Sequence, residues 1–430
     1  MTWFFEKKKE IVKKEIQSLV LKSAEECLKR ICTNPKKILL LPPDITRAYS
    51  GCGWITEILY NYFDKKSEVF VIPALGQHTS HTEEQNKKVF NTIPETRILK
   101  HDSVKDVEKI GEIPADYVKK VTFGAADWKI PIEINKILLT NEWDIIINIG
   151  HVVPHEVLGF ASHNKNYLIG LGGDSTISST HIASACCGIE NILGAIISPI
   201  RHCLNKAEND FFNGLPFAYI QLVMALNEEG KLIHTGFYCG KDFDTYLLAA
   251  KQSMEENIIT VPPLKKIVAI MDKDEFESTW VSNKAIYRTR KALADNGELI
   301  IVAPGLKRFG ENQKADKMIR EYGYIGTDKI IKHWKKDKSL QEMAHIAAHL
   351  IHGSSDQRFK IYYAPGYLTK EEIESVNYSY LDLSETLKKY PIEKMKYGFN
   401  IMDDGEEIYF INSPASGLWT TKEKISNLSL

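Results

Sequence analysis

The sequence predicts an α/β fold with two α/β domains, each containing a mainly parallel sheet. Short apolar runs rich in β-branched residues alternate with amphipathic segments along the chain. This alternation is typical of parallel strands connected by helices. At 430 residues the chain is too long for one ordinary core. Its 43% hydrophobic and 26% charged residues are typical of a soluble globular protein.

The elements are predicted from these runs in chain order. The strand-like runs are 36–43, 68–75, 143–150, 265–272, 297–305 and 359–366, and each ends in Gly, Pro or Asp except 68–75, which is followed by Gly76. Helical spacing is found at 1–20, 9–31, 54–64, 284–295 and 340–351, and the apolar window 181–200 predicts a buried helix. A Pro-Pro pair precedes the fourth strand, so we predict an N-terminal domain over 1–262 and a C-terminal domain over 263–430.

Charge and cysteine usage exclude several classes of partner and compartment. The net charge of −1 gives no reason to expect nucleic acid or an anionic membrane as a partner. The N-terminus lacks the features of a signal peptide, and no apolar stretch is long enough for a membrane span. The seven cysteines show no paired CxxC spacing, which predicts reduced thiols in a cytoplasmic protein.

A cluster of histidines around one lysine is the clearest sign of chemistry. His151, His155, His163, Lys165 and His181 lie in a segment rich in glycine and serine. Imidazole changes its protonation near neutral pH and is the commonest metal ligand. The cluster therefore predicts metal-assisted or acid–base chemistry on a small molecule. Alone, the lysine is either a surface residue or a reactive amine, and His181 either ends a helix or binds a metal.

Two further polar loops follow predicted strands. Asp44 and Arg47 follow the first strand, and His78 and His81 follow the second. Loops at the carboxyl ends of parallel strands build the site in such sheets. The guanidinium of Arg47 is suited to binding a carboxylate or a phosphate. Asp44 either belongs to such a site or caps the helix that follows. The two histidines either cap the next helix, are exposed, or take part in catalysis.

Four motifs, taken in order, resemble those of the nickel-dependent lactate racemase family, whose members racemise or epimerise 2-hydroxy acids. The family carries Asp-x-Thr-Arg, then Gly-x-His, then Pro-His with a lysine ten residues later, then a histidine sixteen residues beyond. The matching residues are Asp44, Thr46 and Arg47; Gly76 and His78; Pro154, His155 and Lys165; and His181.

The resemblance implies a cofactor and a set of roles. The family cofactor is a nickel-pincer nucleotide, a pyridinium mononucleotide with two sulfur-containing arms, tethered as a thioamide to the lysine matched by Lys165. A soft sulfur donor set with one imidazole suits nickel, and His181 matches the family's nickel ligand. His78 and His155 match the two bases that hydride-transfer inversion at C2 requires. Arg47 would hold negative charge on the substrate.

Further contacts to the nucleotide are expected from the glycine-rich stretch 170–179, whose backbone N–H groups are suited to a phosphate. Asp44 is expected to contact the cofactor as well. The residues predicted in the stretch are Gly172, Gly173, Ser175 and Thr176.

The resemblance also implies a second domain that closes over an active site in the cleft between the two domains. Lys284 and Trp334 match the family's substrate contacts there, while Val281 stands where glutamine is typical. The segment before the lysine reads ASHNKN, so His163 and Asn164 are predicted to face the substrate. These departures favour a polyhydroxylated acid, which needs more hydrogen-bond partners. The sequence looks closest to the D-mannonate/D-gluconate 2-epimerase branch.

Other functions stay open. Within the same chemistry, lactate or another short acid is the alternative substrate. From another class, His78, His81, His151 and His155 could bind zinc for hydrolysis, and an inactive sugar-acid-binding protein is a third reading. The expected partners are a small 2-hydroxy acid and the enzymes that make the cofactor. Homo-oligomerisation and the roles of His151 and His352 are left open.

Overall fold

The computed structural model describes residues 1–425, which form two compact units. The first unit comprises Met1–Ala183, Ile196–Ala225 and Ile233–Glu256, and the second comprises Ser184–Ala195, Leu226–Leu232 and the described residues from Asn257 onward. The predicted N-terminal domain over 1–262 placed 184–195 and 226–232 with the rest of the N-terminal chain. Both segments instead pack within the second unit, so each unit is built from separated stretches of sequence.

The first unit is built on a six-stranded sheet of order β1-β10-β9-β6-β2-β3. Strands β9, β6, β2 and β3 are parallel to one another, and β1 runs antiparallel to β10. Two antiparallel pairs, β4 with β5 and β7 with β8, lie outside this sheet. The strands are β1 (Thr2–Lys7), β2 (Lys37–Leu41), β3 (Glu68–Val71), β4 (Val107–Ile113), β5 (Ile130–Asn135), β6 (Ile145–His151), β7 (Pro154–His155), β8 (Gly159–Phe160), β9 (Phe217–Leu226) and β10 (Leu232–Gly240).

Nine helices lie between residues 1 and 257, all of which the structure describes, and the helix Ile189–Ile192 among them belongs to the second unit. They are α1 (Lys13–Arg30), α2 (Cys52–Phe63), α3 (Glu83–Phe90), α4 (Ala115–Val121), α5 (Lys165–Leu168), α6 (Asp174–Cys187), α7 (Ile189–Ile192), α8 (Pro199–Phe211) and α9 (Phe243–Asn257). Short 3-10 segments occur at Ile45–Ser50, Glu95–Arg97 and Lys136–Leu139.

The central strands are apolar on both faces because the sheet has a core on each side. Alternate residues of a strand point to opposite faces. In β2, Ile38 and Leu40 belong to one core cluster, while Leu39 and Leu41 belong to the other. All residues of β6 are buried. Continuous apolar runs of this kind are typical of parallel sheets covered on both faces, which explains why these strands could be predicted from the sequence.

The second unit contains a six-stranded sheet of order β15-β14-β13-β12-β17-β16, parallel except for β16. A further parallel pair joins β11 and β18. The strands are β11 (Ile258–Thr260), β12 (Leu264–Ile270), β13 (Leu293–Ala303), β14 (Phe359–Pro365), β15 (Ser379–Tyr380), β16 (Gly398–Ile401), β17 (Glu407–Ile411) and β18 (Leu418–Thr420). The helices are α10 (Thr279–Ser282), α11 (Lys284–Thr289), α12 (Gln313–Tyr322), α13 (Thr327–Trp334), α14 (Lys338–Glu342), α15 (Ala344–His352), α16 (Lys370–Ser375), α17 (Leu383–Lys389) and α18 (Lys422–Ile425), with a 3-10 segment at Ile392–Lys394.

The mixed α/β fold with mainly parallel sheets confirms the predicted fold class, but three helix predictions were wrong in part. Residues 2–7 form β1, because pairing with β10 overrides the helical spacing there. The predicted helix 181–200 breaks at Gly188, whose φ of 82° is left-handed. The segment 284–295 stops being helical after Thr289 and continues into β13.

The cysteines and the lengths of the helices are the remaining features of the described residues. All seven cysteines are free thiols. Within residues 1–425, every helix is too short or too polar to span a bilayer.

Candidate functional site

The predicted site residues of the first unit follow the carboxyl ends of three neighbouring parallel strands. Asp44 follows β2, His78 follows β3, and the segment that carries His155 and Lys165 follows β6. Because these strands are adjacent and parallel, their carboxyl ends meet at one edge of the sheet. The fold therefore brings three loops that are distant in sequence to one place.

Asp44 and His78 form a hydrogen-bonded pair, which is an ion pair only while His78 is protonated. Nδ1 of His78 lies 2.5 Å from Oδ2 of Asp44, and the Thr46 hydroxyl donates to Oδ1 of the same carboxylate at 2.6 Å. Burial raises the pKa of Asp44, but the His78 charge and these hydrogen bonds outweigh it and hold the pKa well below its usual range. The permanent carboxylate keeps a proton on Nδ1, so the Nε2 of neutral His78 carries the lone pair.

His81, the other histidine of this loop, has a structural role. Its Nε2 accepts the backbone N–H of Ile45 at 3.0 Å, and its Nδ1 lies 3.0 Å from the side-chain oxygen of Asn86. Both ring nitrogens are thus used to hold the Asp44 loop against α3. Burial lowers the pKa of His81 and keeps the ring neutral.

Arg47 supplies positive charge that no other described residue pairs with. It lies in the 3-10 segment after Asp44 and is partly exposed. Within the described residues its guanidinium makes no hydrogen bond or salt bridge, and its charge acts on Lys165. A planar donor left unsatisfied in this way is suited to an incoming carboxylate.

The backbone before Lys165 is held tightly by buried polar side chains. Asn148 donates to the carbonyl of His163 at 3.0 Å, and Asn166 donates to Asn148 at 2.7 Å. Ser162 and His163 have φ angles of 76° and 58°, a conformation that non-glycine residues rarely adopt. Backbone strain of this kind persists only where the surroundings fix it, and here it sets the position of Lys165 at the start of α5.

Lys165 is a lysine with an unusually acidic ammonium group. Burial and the nearby charge of Arg47 together lower its pKa to about 8, while Glu156 and Asp44 act in the opposite direction. Within the described residues no hydrogen bond or salt bridge holds its Nζ. A substantial fraction of the amine is therefore neutral and nucleophilic at slightly alkaline pH.

We expect acylation of Lys165 to reach half of its maximal rate near pH 8. Burial disfavours the ammonium, so the reactive amine forms at lower pH than in an exposed lysine, whose pKa is about 10.4. The rate of labelling by an acetylating reagent is measured across pH 6–11 by peptide mass spectrometry, and its midpoint gives the pKa of the amine. A free lysine with a blocked α-amino group in the same tube serves as the reference. A midpoint at the reference value would contradict the perturbed amine.

His181 lies in α6 and is held as a neutral imidazole. Burial lowers its pKa to about 4, and the positive charge of Lys165 adds to this effect. Its ring also hydrogen-bonds the carbonyl of Ile177, one turn earlier in the helix. A neutral ring fixed to a rigid element is the form in which histidine binds metals.

His155 lies in the short β7–β8 hairpin and differs from His78 in its hydrogen bonding. The backbone N–H of Val157 donates to its Nδ1 at 3.1 Å, so a neutral ring carries its proton on Nε2. The Nε2 atom lies 3.9 Å from Oε1 of Glu156. Glu156 was missed by sequence reasoning, although an acidic residue between a candidate histidine and an apolar run is a visible signal.

The prediction of a phosphate site at 170–179 is not supported, because the chain uses these donors itself. The carboxylate of Glu133 on β5 accepts the N–H of Ser175 at 3.1 Å, and its carbonyl accepts the N–H of Gly173. Thr176 donates to the carbonyl of Pro131, and the N–H of Gly172 bonds within the same turn. A negative carboxylate at this helix end leaves no place for an anion.

His163 and Asn164 do not face a substrate, contrary to the prediction. Both side chains are completely buried. The His163 ring stacks on Tyr219 at a centroid distance of 4.1 Å, and its burial lowers its pKa to about 4. The Asn164 amide donates to Asn205 and Glu208 on α8. They pack the interior behind Lys165 and help to position it.

The other candidates have structural contacts or belong to the second unit. His151 is buried with its ring at right angles to Tyr49, which suits a packing role. In the second unit, Lys284 lies 5.6 Å above the ring of Phe276, and Trp334 ends α13. Their roles in substrate binding stay a prediction.

The comparisons with known proteins agree with this geometry. Residues 5–190 match the sequence model of the family described as the lactate racemase N-terminal domain. Residues 5–190 therefore belong to the lactate racemase N-terminal domain family. The match covers Asp44, His78, His155, Lys165 and His181. It confirms the predicted lactate racemase family and the predicted enzyme class, an isomerase of the racemase and epimerase type, while the D-mannonate/D-gluconate branch stays a prediction.

Solved structures share the fold of this chain. A crystal structure of a Thermotoga maritima protein has a TM-score of 0.80 at 24% identity and covers 97% of this chain and 100% of that one. The lactate racemase apoprotein from Thermoanaerobacterium thermosaccharolyticum has a TM-score of 0.67 at 17% identity and covers 97% and 94%. Among curated proteins, none gave a significant match.

The zinc alternative finds no support in the arrangement of the side chains. A catalytic zinc site needs three protein ligands. Within residues 1–425, no three His, Cys, Asp or Glu side chains are grouped as a metal-ligand set. His81, one of the four histidines considered, has both nitrogens committed to the chain.

Proposed function

We propose that the chain is a nickel-dependent racemase or epimerase of 2-hydroxy acids. The single observation that carries the proposal is the pairing of a half-buried lysine, whose pKa is lowered to about 8, with a neutral His181 ring on which the charge of that lysine acts. Lysine provides a nucleophile for a covalent tether, and one neutral imidazole provides a ligand for a metal that is otherwise held by sulfur. The residues present thus fit a nickel-pincer nucleotide.

In this proposal Lys165 would hold the cofactor covalently, His181 would bind its nickel, and Asp44 would contact it. When bound, the cofactor supplies the acceptor and donor of the hydride at C2 of the substrate. The glycine-rich stretch 170–179 is left out, because Glu133 already occupies its donors.

The chain's own residues orient the acid and move its hydroxyl proton. Arg47 binds the substrate carboxylate or the negative charge on the reacting oxygen. His78, with Asp44 holding the proton on Nδ1, accepts the hydroxyl proton at Nε2. His155 serves the opposite face of the substrate, where its Nε2–H is directed by the Val157 bond to Nδ1. Its role as the second base stays a prediction.

For the substrate, we propose a sugar acid of the D-gluconate/D-mannonate type, with lactate or another short acid as the alternative. Lys284 and Trp334 of the second unit are proposed substrate contacts, and His163 and Asn164 are removed from that set by their burial. We also propose that the enzyme is cytoplasmic and depends on separate enzymes that make its cofactor.

The test is a screen for inversion at C2. The chain, co-expressed with the cofactor-making enzymes, is incubated with D-gluconate, D-mannonate, lactate and malate in D₂O-free buffer and followed by NMR. We expect interconversion of at least one pair of C2 epimers or enantiomers, dependent on nickel in the growth medium. No inversion of any acid by chain that carries nickel would overturn the proposed function.

A further inference from the structure

We propose that Arg201 is a positioning residue of the site, which fixes the turn formed by residues 160–164 and thereby the place of Lys165 directly after it. The inference rests on the proposed function, since it takes Lys165 as the tether of the cofactor, and it adds a residue that lies outside every motif of the sequence. The observation that carries it is a completely buried guanidinium that donates to three residues of this turn.

The guanidinium of Arg201 holds the turn at three points. Arg201 lies in the first turn of α8 and is completely buried. Its Nη2 donates to the carbonyl of Phe160 at 2.7 Å, and both Nη atoms lie 3.4 Å from the carbonyl of Ser162. Its Nη1 also donates to the side-chain oxygen of Asn164. Because a guanidinium presents its donors in a rigid fork, these three groups are held in one fixed geometry.

The turn depends on these donors because its backbone is buried and strained. Ser162 and His163 are left-handed, with φ angles of 76° and 58°, and both are buried. Within residues 1–425, no backbone N–H donates to the carbonyl of Ser162, so this carbonyl is satisfied by Arg201. A buried carbonyl that loses its donor is destabilised. Without the guanidinium, the turn would therefore relax from its left-handed conformation.

The same face of α8 holds the end of the turn from a second side. Arg201, Asn205 and Glu208 are four and three residues apart, so they lie on one face of the helix. The Asn164 amide donates to Asn205 at 2.7 Å and to Glu208 at 2.9 Å, while its side-chain oxygen accepts from Arg201. Asn164 directly precedes Lys165, the first residue of α5. The position of Lys165 is therefore set by α8.

Filling the interior does not account for Arg201. Its guanidinium forms no salt bridge within residues 1–425, and it lies 4.4 Å from the centre of the Tyr246 ring. Burial of a charge without a counter-ion is costly, so a neutral side chain of similar size would suit a packing role better. The hydrogen bonds to the turn and the contact with the aromatic ring offset this cost. The charge thus serves to hold the turn.

The first measurement tests the hold on the turn in the cofactor-free chain. Arg201→Lys and Arg201→Met are compared with wild type by hydrogen exchange and by melting temperature. We expect the amides of residues 161–169 to exchange roughly 10- to 100-fold faster in both variants, the range for lost hydrogen bonds from a charged group. Lys206→Met is the matched control, because it removes a positive charge from the same helix at a partly exposed side chain that pairs with Asp210 at 2.9 Å. Its exchange in this segment should equal that of wild type.

The second measurement tests the effect on the site. The same chains, co-expressed with the cofactor-making enzymes, are analysed by intact mass spectrometry for the covalent group and by NMR for inversion of the acid that wild type inverts. We expect kcat per bound nickel to fall roughly 10- to 100-fold in the Arg201 variants, because a misplacement of about 1 Å costs this much. KM should stay unchanged, since a completely buried side chain does not contact the acid.

The outcomes separate a positioning role from a role in stability alone. Variants with a lower melting temperature but with wild-type loading and kcat per bound nickel would overturn the inference, because Arg201 would then only stabilise the fold. Folded variants that lack the covalent group support it, since formation of the tether needs Lys165 in place. Glu208→Gln is a milder change to the hold on Asn164 and decides the matter if the Arg201 variants do not fold. Unchanged loading and kcat in Glu208→Gln would then overturn the inference.

Failure of the proposed function is recognised in the wild-type chain. If wild type neither carries the covalent group nor inverts any acid, the proposed function and the inference fail together. If wild type is active and the variants match it in exchange, loading and kcat, only the inference fails.

Discussion

Substitution of Lys165 by alanine is expected to remove both the covalent cofactor and all measurable racemisation. The amine is the nucleophile of the proposed tether, and its lowered pKa makes it reactive near pH 8. Intact mass spectrometry of chain co-expressed with the cofactor-making enzymes should show a mass increase in the wild type that is absent in Lys165→Ala. Lys165→Arg should behave in the same way, because the guanidinium keeps the positive charge and is a poor nucleophile.

A second buried lysine provides a matched internal control. The pKa of Lys291, in the second unit, is also lowered to about 8 by burial. If a lowered pKa alone determined modification, peptide mapping would find the group on both lysines. We expect the modification on Lys165 only. The backbone before Lys165 is strained and fixed by buried hydrogen bonds, and the neutral His181 ring, on which the charge of Lys165 acts, would bind the metal of the cofactor. A mass increase that persists in Lys165→Ala would contradict the tether.

Replacement of His78 by glutamine is expected to lower kcat roughly 10²- to 10⁴-fold, the usual contribution of a positioned acid–base group. Glutamine keeps a polar side chain of similar size but cannot take a proton. Asp44→Asn should also lower kcat, because the amide of asparagine no longer fixes the proton on Nδ1 of His78. Nickel content measured on the same preparations should stay unchanged in His78→Gln, which separates proton transfer from cofactor loss.

His155→Gln decides between one base and two. If both histidines act as bases on opposite faces, each single variant loses turnover in both directions by a comparable factor. His81→Gln is the structural comparison, and its effect should appear as a lower melting temperature, because both nitrogens of His81 hold the Asp44 loop. Full turnover by the double variant of His78 and His155 would rule out the two-base mechanism.

Local sequence patterns predicted the parts of the fold that depend on nearest neighbours. Continuous apolar runs identified β2, β3, β6, β12, β13 and β14, since these strands are covered on both faces. By contrast, β1 was taken for part of a helix, because its conformation depends on pairing Phe5 with Tyr238, far away in the chain. The long helix predicted for 181–200 ignored Gly188, whose left-handed conformation ends α6.

The site residues show the same division. The order and spacing of polar residues along the chain can be compared with a family motif without any coordinates. This comparison identified Asp44, Arg47, His78, His155, Lys165 and His181. Spacing could not separate His163 from Lys165, which are two residues apart. The left-handed turn at Ser162 and His163 directs the histidine into the aromatic interior and leaves Lys165 at the polar edge.

The sequence by itself determined the kind of protein: an α/β chain with a lysine, an arginine and three histidines in the order of a 2-hydroxy-acid racemase. Only the tertiary structure decided which polar atoms are available for chemistry. Glu133 satisfies the N–H of Ser175, and Asn86 and Ile45 satisfy both nitrogens of His81. The physical reason is that a buried donor or acceptor must be paired, and its partner is chosen by the fold from residues distant in the sequence.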